Sequence, residues 1–303
     1  MQKKASFRRA FKKYYSGYLY IMPVLVGIAV FTIGPMVSSL YYSMFKSYKL
    51  ITPPKDFAPF FNLTKMVMQD EYVWVALRNT IVYSVVSIPF GMALSFVLAL
   101  FLNTKLRGIR VFRVVYYLPC IIPVAVSGLI WRNFINVEDG VFNGFLKSLN
   151  MKPLPWLQSE AMAFPTLLFM SLWGLGGGMI LWLAALKNVP ATLTESAKID
   201  GAGRLTRLFK ITVPMCTPTI LYNFIMGIIG SLQMFGGILA LTGGGDGRNH
   251  SLLFYVMKIY NDAFAGGIGN FAYAAAESWI LFMIIAILTF VVFKTSKWVF
   301  YGE

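Results

Sequence analysis

The chain has 303 residues, of which 57% are hydrophobic and 13% are charged, whereas soluble domains carry about a quarter of charged residues. With a mean hydropathy of +0.66, the composition excludes a soluble enzyme and indicates an integral membrane protein. The net charge of +15 would suit a nucleic-acid partner, but the basic residues lie in short loops between apolar runs and therefore relate to membrane orientation.

Few side chains are available for metal or redox chemistry. Two cysteines, Cys120 and Cys216, each stand near the start of an apolar run and indicate neither a disulfide framework nor a metal site. The single histidine, His250, lies in a glycine-rich loop, and we interpret it as a solvated or interface side chain. The sequence predicts that this chain binds no metal and no cofactor.

The chain begins with a basic segment, residues 1–16, that carries six Lys or Arg residues and no acid. The apolar run at about 18–45 is too long for a signal peptide and ends without a small-residue cleavage site, so it predicts a membrane span. The sequence predicts an all-α integral membrane protein with about six transmembrane helices and one transmembrane domain, residues 17–303. The other five predicted spans lie at 79–103, 113–135, 164–187, 215–242 and 273–294.

The distribution of Lys and Arg predicts the orientation of these spans. The amino terminus, the loops at 104–113 and 187–210 and the carboxyl-terminal tail hold seventeen of the 27 basic residues and three of the 12 acids. The opposite face holds ten basic residues and nine acids. Because short loops rich in Lys and Arg remain in the cytoplasm, both termini are predicted to be cytoplasmic.

Three connections are predicted on the opposite, outer face. The segment 46–78 contains an aromatic, amphipathic stretch that either lies in the membrane interface or merely shields the helices. The segment 137–162 predicts a short helix followed by a turn. The glycine-rich loop 243–250 is not a phosphate-binding P-loop, because no Gly-Lys pair occurs in the chain. The chain is therefore not expected to hydrolyse ATP.

The cytoplasmic loop at 188–214 carries several helix start and stop signals. Thr192 followed three residues later by Glu195 has the form of a capping box. Pro190 stands upstream and Gly201 just beyond, which together predict a helix of about two turns. A helix this short is not stable alone in water. The loop is either an ordinary capped connection or a protruding helix that packs against a soluble partner.

The full spacing in this loop resembles a known motif. The loop contains Glu195-Ser196-Ala197, then three residues, Gly201, nine residues and Ile211-x-Val-Pro214. This spacing resembles the EAA loop of ABC-importer permeases, whose usual form is Glu-Ala-Ala-x3-Gly-x9-Ile-x-Leu-Pro. The chain departs from that form at Ser196 and at Val213. The resemblance implies a coupling helix that docks into a groove of a separate ATPase subunit. The implied coupling residues are Glu195, Ser196, Ala197, Asp200, Gly201, Ile211 and Pro214.

The resemblance to carbohydrate-importer permeases of the maltose-transporter type covers about residues 17–300. It implies the type I importer fold in a bacterial or archaeal cytoplasmic membrane. It also implies several partners: ATPase subunits that hold ATP and Mg, a second permease of different sequence, and an extracytoplasmic solute-binding protein. The implied solute is a carbohydrate, in particular an oligosaccharide, with glycerol phosphate or another polar solute as the alternative. Further similar segments are 112–119, 130–131, 156–157, 186–190, 199–202 and 241–245.

Polar and glycine positions within the spans predict the solute path, which this family places in the middle of the two spans flanking the loop. Trp173 and the glycines after it interrupt the fourth span. These glycines either open the backbone for the solute or allow neighbouring helices to pack closely. In the fifth span, a shared face holds a glycine, a serine and a methionine, whereas Asn223 and Gln233 are predicted to point elsewhere. Trp173 could stack on a sugar ring. The predicted path residues are Trp173, Gly174, Gly177, Gly227, Ser231 and Met234.

Glu277 is a carboxylate about one turn inside the outer end of the sixth span, where a charge is costly unless it faces a cavity or the interface. It is either part of the solute path or a structural or interfacial acid, and the resemblance implies nothing for it. A self-sufficient secondary carrier or a membrane-embedded enzyme would need paired acids or a proton relay within the spans. Only Glu277, with Arg132 at a span edge, approaches that pattern, so an importer permease is favoured.

Overall fold

The computed structural model describes residue 15 and residues 17–49, 51–104, 107–264 and 269–299. The basic segment 1–16, apart from Tyr15, lies outside these described residues, and so do Lys105 and Glu303 of the predicted cytoplasmic face. The chain forms two compact units, one within residues 1–69 and 261–279 and the other within 70–260 and 280–303.

The first unit begins with helix α1, Gly17–Ser43, which contains a π-helical segment at Ala29–Ile33. Two antiparallel strands follow, β1 at Phe45–Lys49 and β2 at Thr52–Phe57, and then helix α2 at Phe61–Met68. The sequence predicted no strand here. Pro53 and Pro54 are compatible with β2 because a two-stranded ribbon has a free edge that needs no N–H donor.

A buried amide fixes the start of this hairpin. The Asn62 side chain is 1% exposed and donates to the carbonyl oxygens of Ser43 at 2.8 Å and of Phe45 at 2.7 Å. These bonds satisfy backbone carbonyls at the junction of α1 and β1, which no regular ladder would pair. The amphipathic stretch, for which the sequence left an interfacial and a shielding role open, therefore belongs to an ordered hairpin followed by a helix.

The second unit contains the long helix α3, Glu71–Leu102, whose first turn is capped by the Asp70 carboxylate accepting from the Tyr72 N–H at 3.1 Å. Helices α4 at Ile109–Ile121, α5 at Val124–Phe134 and α6 at Val141–Ser148 follow. The predicted short outer helix and turn correspond to α6 and to Asn150, which has a φ of 57°.

Eight further helices follow within the described residues. A 28-residue span combines α7, a single 3₁₀ turn at Leu172–Gly174, and α8. Next come the short α9, then α10 and α11 on either side of a bend, and α12. Helix α13 and the straight helix α14 connect the two units along the chain. The bounds are α7 Glu160–Ser171, α8 Leu175–Lys187, α9 Ala191–Ile199, α10 Arg204–Met215, α11 Thr217–Leu232, α12 Gly236–Thr242, α13 Tyr255–Phe264 and α14 Phe271–Thr295.

Two predicted spans are bent rather than straight. Helices α4 and α5 meet at 99°, and α10 and α11 meet at 67°. Ile122 is extended, with a ψ of 128°, as expected for a residue before Pro123, whose ring disfavours a helical neighbour. Cys216 leaves the helical conformation between two prolines, Pro214 and Pro218. The predicted fifth span, 215–242, also ends its helix at Leu232 and resumes it only at α12.

Among the described residues, four straight helices have the length and apolarity to cross a membrane, and six spans result if each bent pair counts as one. The prediction of a helical, multi-span membrane protein is therefore confirmed, with the small hairpin as an addition. The four straight spans are Gly17–Ser43, Glu71–Leu102, Glu160–Lys187 and Phe271–Trp298.

Glycines bring the helices of the second unit into close contact. A Cβ atom at Gly128 of α5 would lie 2.5 Å from the Gly237 carbonyl oxygen of α12, and one at Gly176 of α8 would collide with the Tyr116 carbonyl oxygen of α4. Neither position has room for a side chain. The helices therefore pack backbone against backbone, as in other membrane proteins, which is the packing role that was left open for the glycines after Trp173.

Candidate functional site

The loop between α8 and α10 contains a short helix with a well-defined end. The Ala202 N–H donates to the Ala197 carbonyl at 2.9 Å, and the Gly201 N–H donates to the Lys198 carbonyl at 3.2 Å. Gly201 has a φ of +78°, so this is a Schellman motif with glycine in the left-handed position. The predicted helix end at Gly201 is confirmed. Gly203, by contrast, has a φ of −64°.

The beginning of this helix differs from the prediction. Helix α9 starts at Ala191, its N-cap residue is Pro190, and no side chain caps it. Thr192 lies within the first turn, where its backbone is helical and its hydroxyl no longer occupies the capping position. The capping box of Thr192 and Glu195 is therefore wrong. A nearby hydroxyl, that of Thr194, donates back to the Ala191 carbonyl at 2.8 Å.

Most residues of the predicted coupling motif are exposed. Glu195, Ser196, Asp200 and Gly201 are exposed on α9 and its end, and Pro214 is exposed on α10, whereas Ala197 and Ile211 are half-buried. Apolar side chains on the same loop are also exposed. Leu193 is 45% exposed on α9, Ile199 is 87% exposed, and Leu205 and Phe209 on α10 are 71% and 66% exposed. The loop therefore presents an apolar surface interspersed with charges.

A cavity of about 360 Å³ lies between α3, the α7–α8 span and α11. Four of the predicted path residues line it: Gly174, Gly227, Ser231 and Met234. No Asp, Glu, Lys, Arg or His side chain contributes to its wall in the part of the chain that the structure describes. Residues that the sequence analysis did not assign also line it: Tyr83, Ser87, Ile88, Gly91, Met92, Ser95, Ser171, Leu175, Gly178, Asn223 and Gly230.

Small residues create this cavity. A Cβ atom at Gly227 would lie 3.1 Å from Ile88 Cγ2, and one at Gly178 would lie 3.0 Å from Ser95 Oγ. Ser95 is itself held in place, because its Oγ accepts from the Trp182 indole N–H at 3.1 Å. Larger side chains at these glycines would reduce the space between the helices.

A second cavity of about 280 Å³ shares Tyr83, Ser171, Gly174 and Met234 with the first. Trp173 lines this second cavity rather than the first. Its Nε1 is buried and donates no hydrogen bond to any residue that the structure describes. A buried indole N–H without an acceptor is costly, which suits a site that is completed by a ligand.

Two predicted path residues lie elsewhere. Gly177 lines neither cavity, and a Cβ atom there would contact Cys120 Sγ at 3.7 Å. Glu277 is fully buried on α14 and lines neither cavity. The structure thus brings together Trp173, Gly174, Gly227, Ser231 and Met234, and leaves Gly177 and Glu277 out.

Asn223 was predicted to point away from the cavity, and this was wrong. It stands four residues before Gly227, so both lie on one face of α11 and both line the cavity. Its Nδ2 donates to the Thr219 carbonyl at 3.0 Å, which leaves the amide oxygen available as an acceptor. Ser87 and Ser95 of α3 were missed because only the spans beside the cytoplasmic loop were considered. Their spacing of eight residues in an apolar helix was the available signal.

Comparisons with known proteins identify the family and the fold of this chain. A family model described as "Binding-protein-dependent transport system inner membrane component" matches residues 87–299. The probable ABC transporter permease protein YesP of Bacillus subtilis is 35% identical, over 99% of this chain and 96% of its own. The lactose transport system permease protein LacF of Rhizobium radiobacter is 31% identical, over 96% and 97%. A bacterial ABC transporter involved in the import of alginate has the same fold, with a TM-score of 0.85 at 21% identity, over 96% of this chain and 98% of its own.

Proposed function

Because this chain belongs to the family of inner membrane components of binding-protein-dependent transport systems, we propose that it is one permease subunit of an ATP-driven carbohydrate importer. Transport across the membrane is the role of the family. The solute, the coupling to ATPase subunits and the orientation are our proposals. In this account the chain binds no cofactor and hydrolyses no ATP, because ATP and Mg are held by partner ATPase subunits.

The observation that carries the carbohydrate assignment is the chemistry of the two adjoining cavities. Their walls combine hydroxyl groups, the Asn223 amide and the unpaired Trp173 indole N–H with apolar surface, and no described residue of these walls is charged. Neutral sugars present hydroxyl groups for hydrogen bonds and C–H faces for aromatic contact. Glycerol phosphate, the alternative, would enter an uncharged cavity at a high cost of desolvation. The cavities therefore favour an uncharged carbohydrate.

The names of similar proteins include both solute types. Besides the lactose permease, the trehalose/maltose transport system permease protein MalF of Thermococcus litoralis is 30% identical, over 93% of both chains. The sn-glycerol-3-phosphate permease protein UgpA of Yersinia enterocolitica is 29% identical, over 96% of this chain and 97% of its own. Similarity alone thus leaves the solute open, and the uncharged cavity wall supports the neutral carbohydrate.

Coupling is assigned to helix α9. A nine-residue helix that leaves Leu193 and Ile199 exposed gains little from packing within its own chain. A groove on a soluble ATPase subunit would cover these side chains, and Glu195 would meet a basic residue there. A second permease, different in sequence, would complete the solute path, and an extracytoplasmic binding protein would deliver the solute.

The excess of Lys and Arg places α9 and both chain termini in the cytoplasm in this account. In a variant that lacks Cys120 and Cys216, a cysteine that replaces Arg204 should react with an impermeant reagent only from the cytoplasmic side. A cysteine that replaces Asp246 should react only from the outside. Reversed labelling would contradict the orientation, irrespective of which solute is carried.

Copurification tests the function. The affinity-tagged chain, extracted in mild detergent, should retain ATPase subunits, and the complex should hydrolyse ATP faster when solute-loaded binding protein is added. Neutral disaccharides should drive uptake in reconstituted vesicles, and glycerol 3-phosphate should not. Uptake of glycerol 3-phosphate in place of sugar would contradict the carbohydrate assignment, but the chain would still be a permease subunit of an importer.

A further inference from the structure

A third cavity, of about 320 Å³, lies at the end of the second unit that is opposite to α9. Gln158 lines it and stands just before the α7–α8 span, whose 28 residues extend about 42 Å to Lys187 and the α9 loop. Arg132, at the end of α5, and Thr242, at the end of α12, also line this cavity. The cavity is thus built at the ends of three spans; it shares Leu241 with the second solute cavity and no wall residue with the first.

The Arg132 guanidinium packs against Gly243 beside this cavity. A Cβ atom at Gly243 would lie 2.8 Å from Arg132 Nη1, so a larger residue there would displace the end of the arginine side chain. Gly243 also has a φ of +68°, which favours glycine for a second reason. The side chain remains exposed, so a molecule outside the chain can reach it.

Arg132 has no counter-ion within the described residues, where the ion pairs join other groups. Two acids of the outer connections, Asp246 and Glu160, have other partners, whereas the Glu138 and Asp139 carboxylates are exposed and form no ion pair among the described residues. Asp246 pairs with His250 at 2.5 Å, and Glu160 accepts from the Asn249 amide at 3.0 Å. Arg132, Lys152 and Arg248 are thus exposed cations without an ion pair among the described residues, and of these three Arg132 lines the cavity.

Hydrogen bonds hold the loop that contributes Gly245, Gly247 and Leu252 to the cavity wall. Asn79 donates to the carbonyl oxygens of His250 at 2.9 Å and Leu253 at 3.1 Å, which ties the 243–253 loop to α3. Within this loop Asn249 and His250 have φ values of 52° and 57°. Non-glycine residues adopt such angles only where the surrounding structure enforces them, and they are frequent at functional sites.

We propose that the Arg132 cavity is a receptor for a carboxylate side chain of the extracytoplasmic binding protein, formed by the guanidinium with the Asn136, Gln158 and Thr242 side chains around it. A guanidinium binds a carboxylate through two parallel hydrogen bonds, which fixes orientation as well as position. The site would align the docked binding protein above the solute path. This inference rests on the proposed function, because it needs a binding protein as the partner.

In the test, binding protein is added at increasing concentration to the complex in lipid nanodiscs, and the rate of ATP hydrolysis is measured. The complex without any substitution, called the unchanged complex, is the reference. Arg132→Gln should raise the half-maximal concentration of binding protein about tenfold, with the rate at saturation retained. Arg132→Lys should raise it less, because the charge remains but the paired hydrogen bonds are lost. Higher ionic strength should weaken binding of the unchanged complex more than that of Arg132→Gln.

A matched control is Lys152→Gln, which removes an exposed outer cation whose side chain does not line the cavity. Its titration should coincide with that of the unchanged complex. Exchanging the two charges identifies the partner carboxylate. The complex with Arg132→Glu should bind the original binding protein weakly, and it should regain affinity when the partner acid of the binding protein is replaced by arginine.

Two outcomes would overturn the inference. Coincident titrations for Arg132→Gln and the unchanged complex would exclude a role in docking. An effect of Arg132→Gln that is confined to an acidic sugar, and absent with a neutral one, would assign the carboxylate to the solute instead. A complex that binding protein does not stimulate at all, before any substitution, would be a failure of the proposed function and not of this site.

Discussion

The α9 loop and the solute cavities use opposite arrangements of the same kinds of residue. In the loop, apolar side chains such as Ile199 are exposed, and charged residues surround them. In the cavities, polar groups such as Ser231 and Asn223 lie among apolar helices, and none of the described lining residues is charged. The first arrangement suits a lasting protein–protein contact, and the second suits a neutral solute that must bind and then leave.

Glycine also has a different role in each region. Gly201 is needed for its backbone angle, since a Cβ atom there would meet nothing within 4 Å. Gly227 is needed for space, since its Cβ atom would press on Ile88. Substitutions in the loop should therefore alter coupling to the ATPase subunits but not the choice of solute. Substitutions in the cavity should alter solute passage but not the retention of ATPase subunits.

The largest effect is expected at Gly201. Gly201→Val places a β-branched side chain at a φ of +78°, which costs about 1–2 kcal/mol and changes the direction in which the chain returns to the membrane. ATP-driven uptake in reconstituted vesicles should fall by at least about tenfold, whereas the spans should still insert. The matched control is Gly203→Ala, at a φ of −64° with open space around it, which should transport normally.

Full uptake by Gly201→Val, with ATPase subunits retained at the normal ratio, would remove the coupling role from α9. Loss of uptake in the Gly203→Ala control as well would indicate a general sensitivity of the loop rather than a requirement for one left-handed residue.

A smaller and more selective effect is expected at Ser231. Ser231→Leu adds apolar volume to the cavity and removes a hydroxyl group whose Oγ donates to the Ile228 carbonyl at 3.3 Å. Uptake of larger oligosaccharides should decrease more than uptake of a disaccharide, with the complex intact by size-exclusion chromatography. Ser231→Ala, which removes the hydroxyl without adding volume, should cost less than about tenfold. Unchanged uptake by Ser231→Leu would remove Ser231 from the path.

The smallest effect is expected at the beginning of α9. Thr192→Ala should change the thermal stability of the complex little, within about 0.5 kcal/mol, because Thr192 does not cap the helix. Glu195→Ala should likewise leave stability unchanged and should instead weaken retention of the ATPase subunits. A clear loss of stability in Thr192→Ala would restore the capping box that the structure lacks.

The end of α9 could be predicted from the sequence and its beginning could not. Gly201 ends the helix because its own backbone angle is accessible mainly to glycine, and that property is local. The start depends on where the chain leaves Pro190, and a shift of one residue moves Thr192 from the capping position into the first turn. Two adjacent start signals were present in the sequence, and only the structure shows that the proline was used.

The cavity was predicted in part, for a related reason. Residues of one helix face, such as Gly227 and Ser231, could be grouped by their spacing. The opposing wall from α3, which contributes Ser87 and Ser95, depends on which spans pack together, and a single sequence does not specify that. The bends in the third and fifth spans were marked by prolines, but their angles of 99° and 67° result from packing.

The most direct measurement is uptake of a labelled neutral disaccharide into vesicles that contain the purified complex, with ATP on one side and binding protein on the other. The account predicts that uptake requires both ATP and binding protein, and that it ceases when the ATPase subunits are removed. Uptake that continues without the ATPase subunits, driven by an ion gradient alone, would contradict it and would make this chain a self-sufficient carrier.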